Sequence, residues 1–282
     1  MSKVKITADS TCDLSKELLQ KYDVELMPLY AVLGDKSLRD GVEVTPDDIY
    51  DFVDKNGVLP KTSAGSVDDY ITLFKKYVDE GYEIVHISLS SEMSSSHQNA
   101  NIAAGEVGGA YVVDSLNLST GSGLLVLDAC DMAAEGKSAK EIYEALKNRT
   151  KLVRASFVID QLEYLCMGGR CSSVKMLGAN LLKIKPEIDV GENGKMAMAD
   201  KFRGNYASVL LKYVDKVMAT ENINTKRVFI THTKCDQAIV DSVIDAVKAK
   251  MSFDEVYDAN AGCVITSHCG PNTLGVLFEV NE

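Results

Sequence analysis

The sequence predicts an α/β protein of two domains. The N-terminal domain is a three-layer unit around a parallel sheet, and the C-terminal domain is a two-layer α/β unit with a mixed sheet. Three observations carry this expectation. The first half alternates short apolar strands with helical stretches, the pattern of βαβ units with helices on both sheet faces. The second half has fewer helices and a hairpin signal at Gly191-Glu-Asn-Gly194. The 282 residues suffice for two domains of ordinary size. The boundary is expected near residue 151, giving domains 1–151 and 152–282. No Pro/Gly/Ser-rich linker lies there, so the domains are expected to pack tightly.

In chain order, Val4-Lys-Ile-Thr-Ala reads as a strand ending at Asp9-Ser10-Thr11, with a helix from about Asp13 that turns Leu14, Leu18 and Leu19 inward. Val24 to Val32 is an apolar run that reads as one strand. Thr45-Pro46-Asp47-Asp48 is a helix start, with a hydroxyl cap, a first-turn proline and acidic residues beside the dipole. Ser66 caps another helix, with Asp68 and Asp69 in its first turn. Glu83 to Ser90 is a strand followed by a polar helix start, and Tyr111-Val-Val-Asp-Ser115 is a short buried strand. Helices over about 120–135 and 139–149 complete the first half.

The second half opens with a strand from Leu152 to Ile159 and a short helix at Leu162-Glu-Tyr-Leu165. A hairpin spans Ile184 to Arg203. A helix over about Tyr206–Thr220, a strand from Arg227, a helix over about 235–250 and two more strands close the chain. One closing strand is expected to run through Cys263-Val-Ile-Thr into His268, where Gly270 and Pro271 force a turn.

Composition narrows the function classes. The net charge of -11 offers no basic field for a phosphate backbone, which argues against nucleic acid, and its sign argues against an anionic membrane surface. The N-terminus enters a strand pattern at once, without the apolar core of a signal peptide, and no stretch is apolar enough to span a bilayer. Seven scattered cysteines suit free thiols in a reducing cytoplasm better than a disulfide framework.

Several chemistry-bearing motifs fail on spacing. Gly136-Lys137-Ser138 lacks the leading glycine of a phosphate loop, since Asp131 stands there. Gly121-Ser-Gly123 lacks the third glycine of a dinucleotide fingerprint, and no G-x-S-x-G elbow occurs. Cys263, His268 and Cys269 lack paired zinc-ligand spacing. Cys166 and Cys171 flank a Gly-Gly turn and are either two thiols placed close together or, as free cysteines more often are, inert core or loop residues. No metal, cofactor or catalytic residue is assigned.

One constellation remains. Lys61-Thr62-Ser63-Ala-Gly65 places two hydroxyls before a glycine turn, and Ser90 to Gln98 puts a hydroxyl cluster where a strand hands over to a helix. Helix starts present free N–H groups, so this segment either receives an anion or simply caps its helix. The same two options hold for Asp9-Ser10, Ser88–Ser94 and Asp114-Ser115 at strand ends. Adding the His268 imidazole gives hydroxyl donors, backbone donors and a ring nitrogen, with no acid or thiol nucleophile beside an evident base. That inventory suits holding a carboxylate. Gly168-Gly169-Arg170 and Lys201-Phe-Arg203-Gly204, with Lys175, Lys183 and Lys185, form the most basic stretch of an acidic chain. It is either a solvated face or a docking surface for an acidic partner or a phosphate-bearing substrate.

The segments Thr7 to Leu14, Lys61-Thr-Ser63, Ile87 to Gln98, Val113-Asp-Ser115, Gly121-Ser-Gly-Leu124, Leu162 to Arg170, Ile184-Lys-Pro186, Gly194-Lys195, Arg203-Gly204 and Thr266 to Gly275 together resemble the DegV family of bacterial lipid-binding proteins. The resemblance covers nearly the whole chain. It implies a two-domain DegV-like fold with a long-chain fatty acid buried between the domains. It further implies a partner, the ATP-binding subunit of a fatty acid kinase, which phosphorylates the bound carboxylate to feed phospholipid synthesis, while this chain has no catalysis of its own. Carried over by motif, Thr62, Ser63, Ser94 and His268 hold the carboxylate, and Arg203, with Arg170 as a further candidate, serves the kinase or the transferred phosphoryl group. The chain departs from the family pattern at Ala64-Gly65, at Glu92 to His97 and at Cys166. A monomer in the cytoplasm is expected. Two alternatives stay open: a stand-alone hydrolase or acyltransferase with Ser94 as nucleophile and His268 as base, and a lipid sensor.

Overall fold

The computed structural model describes residues 3–170 and 184–282. Strands β1 (Lys3–Asp9), β2 (Glu25–Met27), β6 (Tyr82–Ser88) and β7 (Ala110–Asp114) form a parallel sheet in the order β2-β1-β6-β7. Strands β3 (Tyr30–Leu33), β4 (Lys36–Arg39) and β5 (Lys61–Ser63) form a small antiparallel sheet, order β4-β3-β5. The second half forms a six-stranded mixed sheet. Its strands are β8 (Val153–Ile159), β9 (Lys185–Val190), β10 (Met196–Phe202), β11 (Ile223–His232), β12 (Glu255–Asn260) and β13 (Thr273–Val280), in the order β10-β9-β8-β13-β11-β12. The expected hairpin around Gly191 to Gly194 is the β9–β10 pair.

Helices cover the parallel sheet on both faces. On one, α3 (Val67–Val78) and α4 (Ser96–Val107) bury Tyr70, Phe74, Ala100 and Ala103 against Ile84 and Val112. On the other lie α5 (Ser119–Ala134) and α6 (Ala139–Arg149). Helix α5 touches β1 and β6 of the first sheet and β8, β11 and β13 of the third, so it serves as a layer for both. That is why α5 is buried almost throughout, where a surface helix shows an apolar stripe. Gly123 permits the closeness, because a Cβ there would meet the Cys12 carbonyl oxygen at 2.8 Å. Helices α8 (Tyr206–Val217) and α9 (Gln237–Lys250) cover the remaining face of the six-stranded sheet with Val209, Tyr213, Val240 and Val243.

Local chemistry sets the helix starts. Thr45 with Asp48 caps α2 (Pro46–Asn56), and Ser66 with Asp69 caps α3, each by reciprocal side-chain and backbone bonds. Truncating such a cap costs about 1 kcal/mol. Two arginines pin α5 and α6 to the six-stranded sheet: Arg149 bonds Asp128 at 2.5 Å and Glu279 at 2.8 Å, while Arg227 bonds Asp131 at 2.7 Å and Glu255 at 2.5 Å.

Four expectations are corrected. The run Val24 to Val32 is two strands in different sheets, β2 and β3, parted at Pro28, which has no N–H for a ladder. Asp13 is left-handed (φ 49°), and α1 (Lys16–Lys21) starts later, capped by Ser15. Cys263–Cys269 is a helix, α10, so His268 sits in a last helical turn and the next strand begins at Thr273. The β-branched Val264-Ile265-Thr266 mimics a strand, but glycines bound the run at both ends and the tertiary structure caps its start. Finally, Cys166 is disulfide-bonded, whereas Cys12, Cys130, Cys235, Cys263 and Cys269 are free thiols. Cys171, Lys175 and Lys183 lie outside the described residues. Among the described residues no helix is long and apolar enough to cross a membrane, and no group of three potential metal ligands occurs.

Candidate functional site

A cavity of about 310 Å³ opens where β5, the loop after β6, the end of α7 (Leu162–Met167) and α10 converge. Leu29, Leu89, Met93, Leu165, Met196 and Ile265 form apolar wall. Thr62, Ser63, Ser94 and His268, predicted from separate segments, all line it, and so does Arg170. A second space of about 20 Å³ shares Leu118, Ile265 and Cys269 with the first and continues toward Phe157 and Leu277 of the six-stranded sheet.

The polar side is built by long-range pairing. Register against Ala31 in β3 fixes Thr62 in β5. Its Oγ1 lies 2.8 Å from His268 Nε2. The other ring nitrogen, Nδ1, is buried and has no hydrogen-bond partner among the described residues. Burial, with the positive charge of Arg170 second, pushes the His268 imidazole down to about 4. The ring is therefore neutral near pH 7, one nitrogen a donor and the other an acceptor. Gly168, at the end of α7, makes room for it, since a Cβ there would lie 2.2 Å from Nδ1.

Ser94 Oγ stands 2.9 Å from Ser96 Oγ and accepts from the Ser96 N–H at 3.2 Å. Ser63 is exposed at the rim. Arg170 donates to the Gly168 carbonyl at 2.7 Å and the Met93 carbonyl at 3.2 Å, which ties the end of α7 to the serine loop. Glu92 and Lys195 pair at 3.3 Å across the two halves. Arg203 is exposed after β10 and is not part of the cavity wall, so the two arginines that the sequence grouped occupy different places.

Other singled-out residues are structural. Asp9 accepts from Tyr70 Oη at 2.6 Å and the Leu89 N–H at 2.8 Å, and Asp114 accepts from the Ser91 and Leu116 N–H groups at 3.1 and 3.0 Å. Both hold loops in place. Sequence reasoning missed Met93, Met196 and Ile265 as wall residues, because apolar side chains carry no signal separating cavity wall from core. It flagged the Gly168 turn without its contact to His268.

Two hydroxyls, the His268 ring that Thr62 meets through Nε2 and a nearby guanidinium, beside an apolar hollow, can receive a small anionic head group whose apolar body fills the rest. The Ser94–His268 pair required by the hydrolase alternative is not formed: Ser94 bonds Ser96, and His268 bonds Thr62.

Comparison with known proteins agrees with this architecture. A profile described as "Uncharacterised protein, DegV family" matches residues 3–281. A DegV domain-containing protein of Clostridium acetobutylicum is 34% identical over 99% of both chains. A protein of Thermotoga maritima named as a fatty acid-binding protein is also 34% identical, over 99% of both chains. A DegV family protein of Thermus thermophilus, whose structure is described as showing fatty acid binding, superposes with a TM-score of 0.90 at 28% identity over 100% of both chains. A stearic acid-binding protein of Eubacterium ventriosum superposes with a TM-score of 0.85 at 27% identity, covering 99% of this chain and 98% of its own. The chain belongs to the DegV family.

Proposed function

We propose that this protein binds a long-chain fatty acid, with its carboxylate against Thr62, Ser94 and His268, and presents it to a separate ATP-dependent kinase subunit. Ser63 stands at the rim of that head-group site. The acyl chain lies between an N-terminal domain, residues 1–151, and a C-terminal domain, residues 152–282, and the protein acts as a monomer in the cytoplasm. The observation that carries this is the Thr62–His268 pair set in the wall of an apolar cavity of about 310 Å³. The names of the Thermotoga, Thermus and Eubacterium relatives support it.

The energetics favour such a ligand. Burying a saturated chain gains about 0.8 kcal/mol per methylene, so roughly sixteen carbons gain on the order of 10 kcal/mol before the cost of association. Few polar contacts then suffice for tight binding, and they serve to orient the head group. A buried tail leaves only the carboxyl end for a kinase to reach, and exposed Arg203 is the cation available to that partner or to the phosphoryl group.

Native mass spectrometry of purified protein, with extraction of the ligand, tests the binding step. A retained long-chain acid, lost in Thr62→Ala/His268→Ala, is expected; protein that stays empty after incubation with oleate overturns the proposal. The presentation step is tested by adding a DegV-dependent fatty acid kinase subunit with ATP. Acyl phosphate forming only with loaded protein is expected, and its absence favours a lipid sensor.

A further inference from the structure

We infer that Asp13 and Asp40 are positioning residues for His268: two buried acidic side chains of the first half hold the start of the helix that carries the imidazole. The inference rests on His268 belonging to the binding site proposed above. A helix begins with backbone N–H groups that have no partner inside it, usually satisfied by a side chain at the cap position. Helix α10 begins at Gly262, which has no side chain to offer. Its N–H groups are served from outside: the Gly262 N–H donates to Asp13 Oδ1 at 2.9 Å and the Cys263 N–H to Asp40 Oδ1 at 2.8 Å.

The second oxygen of each carboxylate is also held. Ser119 Oγ donates to Asp13 Oδ2 at 2.5 Å, and Ser10 Oγ donates to Asp40 Oδ2 at 2.8 Å. Ser10 Oγ in turn accepts from the N–H of Leu29, a cavity wall residue. Asp13 and Asp40 are only 6% and 5% exposed, and among the described residues neither is in an ion pair. Their burial is compensated instead by the helix start and the serines. The fit leaves no room for an ordinary cap, because a Cβ on Gly262 would lie 3.0 Å from Asp13 Oδ1 and 3.3 Å from both Asp40 oxygens.

The consequence falls on the cavity. Helix α10 supplies Val264, Ile265, His268 and Cys269 to its wall. His268 follows the capped turn within the same short helix, and its bond to Thr62 is 2.8 Å long. A shift of the helix start by about an ångström takes that pair out of hydrogen-bond range. The two carboxylates thereby set where the imidazole stands.

The test uses the full chain, with oleate affinity measured by displacement of a fluorescent fatty acid and the His268 ring followed by ¹⁵N NMR. Asp13→Ala and Asp40→Ala are made in the wild type and in His268→Ala, alongside Asp13→Asn and Asp40→Asn. The alanine variants are expected to weaken oleate binding at least about tenfold, while the asparagine variants, which keep an acceptor oxygen, stay within about threefold. The ring signals shift with alanine and return with asparagine. In the His268→Ala background the alanine changes are expected to weaken binding clearly less than in the wild type, because the part that acts through the ring is already lost and only the shift of Val264, Ile265 and Cys269 remains. Equal weakening in both backgrounds, or unchanged ring signals, overturns the proposal. If His268→Ala alone leaves oleate affinity unchanged, the binding role of His268 fails, and the ring signals still decide the positioning. If the Asp13 variants do not fold, Gly262→Ala, which pushes on both carboxylates, is expected to move the ring signals and weaken binding in the same direction; a folded Gly262→Ala protein with neither effect overturns it.

Discussion

His232 and His268 lie in the same half of the molecule and have opposite hydrogen-bond accounts. His232, at the end of β11, has both ring nitrogens occupied: Nδ1 is 2.7 Å from the Thr233 carbonyl and Nε2 is 2.9 Å from Asp258 Oδ1. His268 has Thr62 on one nitrogen and, among the described residues, no hydrogen-bond partner on the other, which packs against Gly168. A sequence presents the two alike, each an imidazole near apolar residues. What sets His268 apart is its place in the wall of the cavity beside Thr62 and Arg170, since an unfilled ring nitrogen occurs also at the core residue His86.

The comparison breaks if the two histidines respond alike to removal. His268→Ala, or Thr62→Ala, is expected to weaken fatty acid binding by roughly ten- to a hundredfold with a modest effect on folding, as a lost bond to a charged group does. His232→Ala is expected to act mainly on stability. It leaves the Thr233 carbonyl without its ring partner, while the exposed Asp258 keeps Gln237, so stability falls by about 1 kcal/mol, and because His232 lines only the small extension of the cavity, affinity falls less than in His268→Ala. Displacement titration and calorimetric melting on the same samples separate the two outcomes.

Gly168→Ala sharpens the contrast without touching either histidine. Its φ of -69° suits any residue, so the penalty is steric: the Cβ would sit 2.2 Å from His268 Nδ1, 2.8 Å from Cε1 and 3.1 Å from the Tyr164 carbonyl oxygen. Affinity is expected to fall about tenfold and stability by about 1–3 kcal/mol, as overpacking against a buried ring does. Wild-type affinity in this variant means the ring can move without consequence for binding.

Acid is a further probe. The His268 imidazole is held down at about 4, against 6.5 in an unfolded chain. As pH falls the unfolded state takes the proton first, so the stability contribution is complete above about 6.5 and is lost as pH falls toward 4. The slope is at most about 1.4 kcal/mol per pH unit for one proton. Buried Asp13, raised from 3.8 to about 8, acts with the opposite sign: its contribution is complete below about 4 and is lost as pH rises toward 8. Denaturant melts across pH 4–8 of His268→Gln and Asp13→Asn are expected to remove the two slopes separately. The smallest effect belongs to the exposed Glu92–Lys195 pair, where Glu92→Ala is expected to change stability by less than about 1 kcal/mol.

Much of the fold was legible in the sequence. Alternating apolar runs announced the parallel sheet, Gly191 to Gly194 the hairpin, and Thr45 and Ser66 their helix starts, because these features depend on a few neighbouring residues. The break at Pro28 and the helical state of Cys263–Cys269 were misread. In the second case Val264-Ile265-Thr266 has strand propensity, and the helix exists because Asp13 and Asp40 cap it across the chain.

The candidate site divides in the same way. Thr62, Ser63, Ser94, His268 and Arg170 stood out as hydroxyls, a ring and a cation in turn-rich segments and through family resemblance, and the fold brings all five to one cavity. Their chemistry was determined by residue identity alone. Only the tertiary structure decided that Thr62 meets His268 across 206 residues, that Gly168 clears space for the ring, and that Arg203 stands apart from Arg170. Identity and spacing set what a side chain can donate, accept or bury. Which bonds stay unmade depends on contacts that no local pattern encodes.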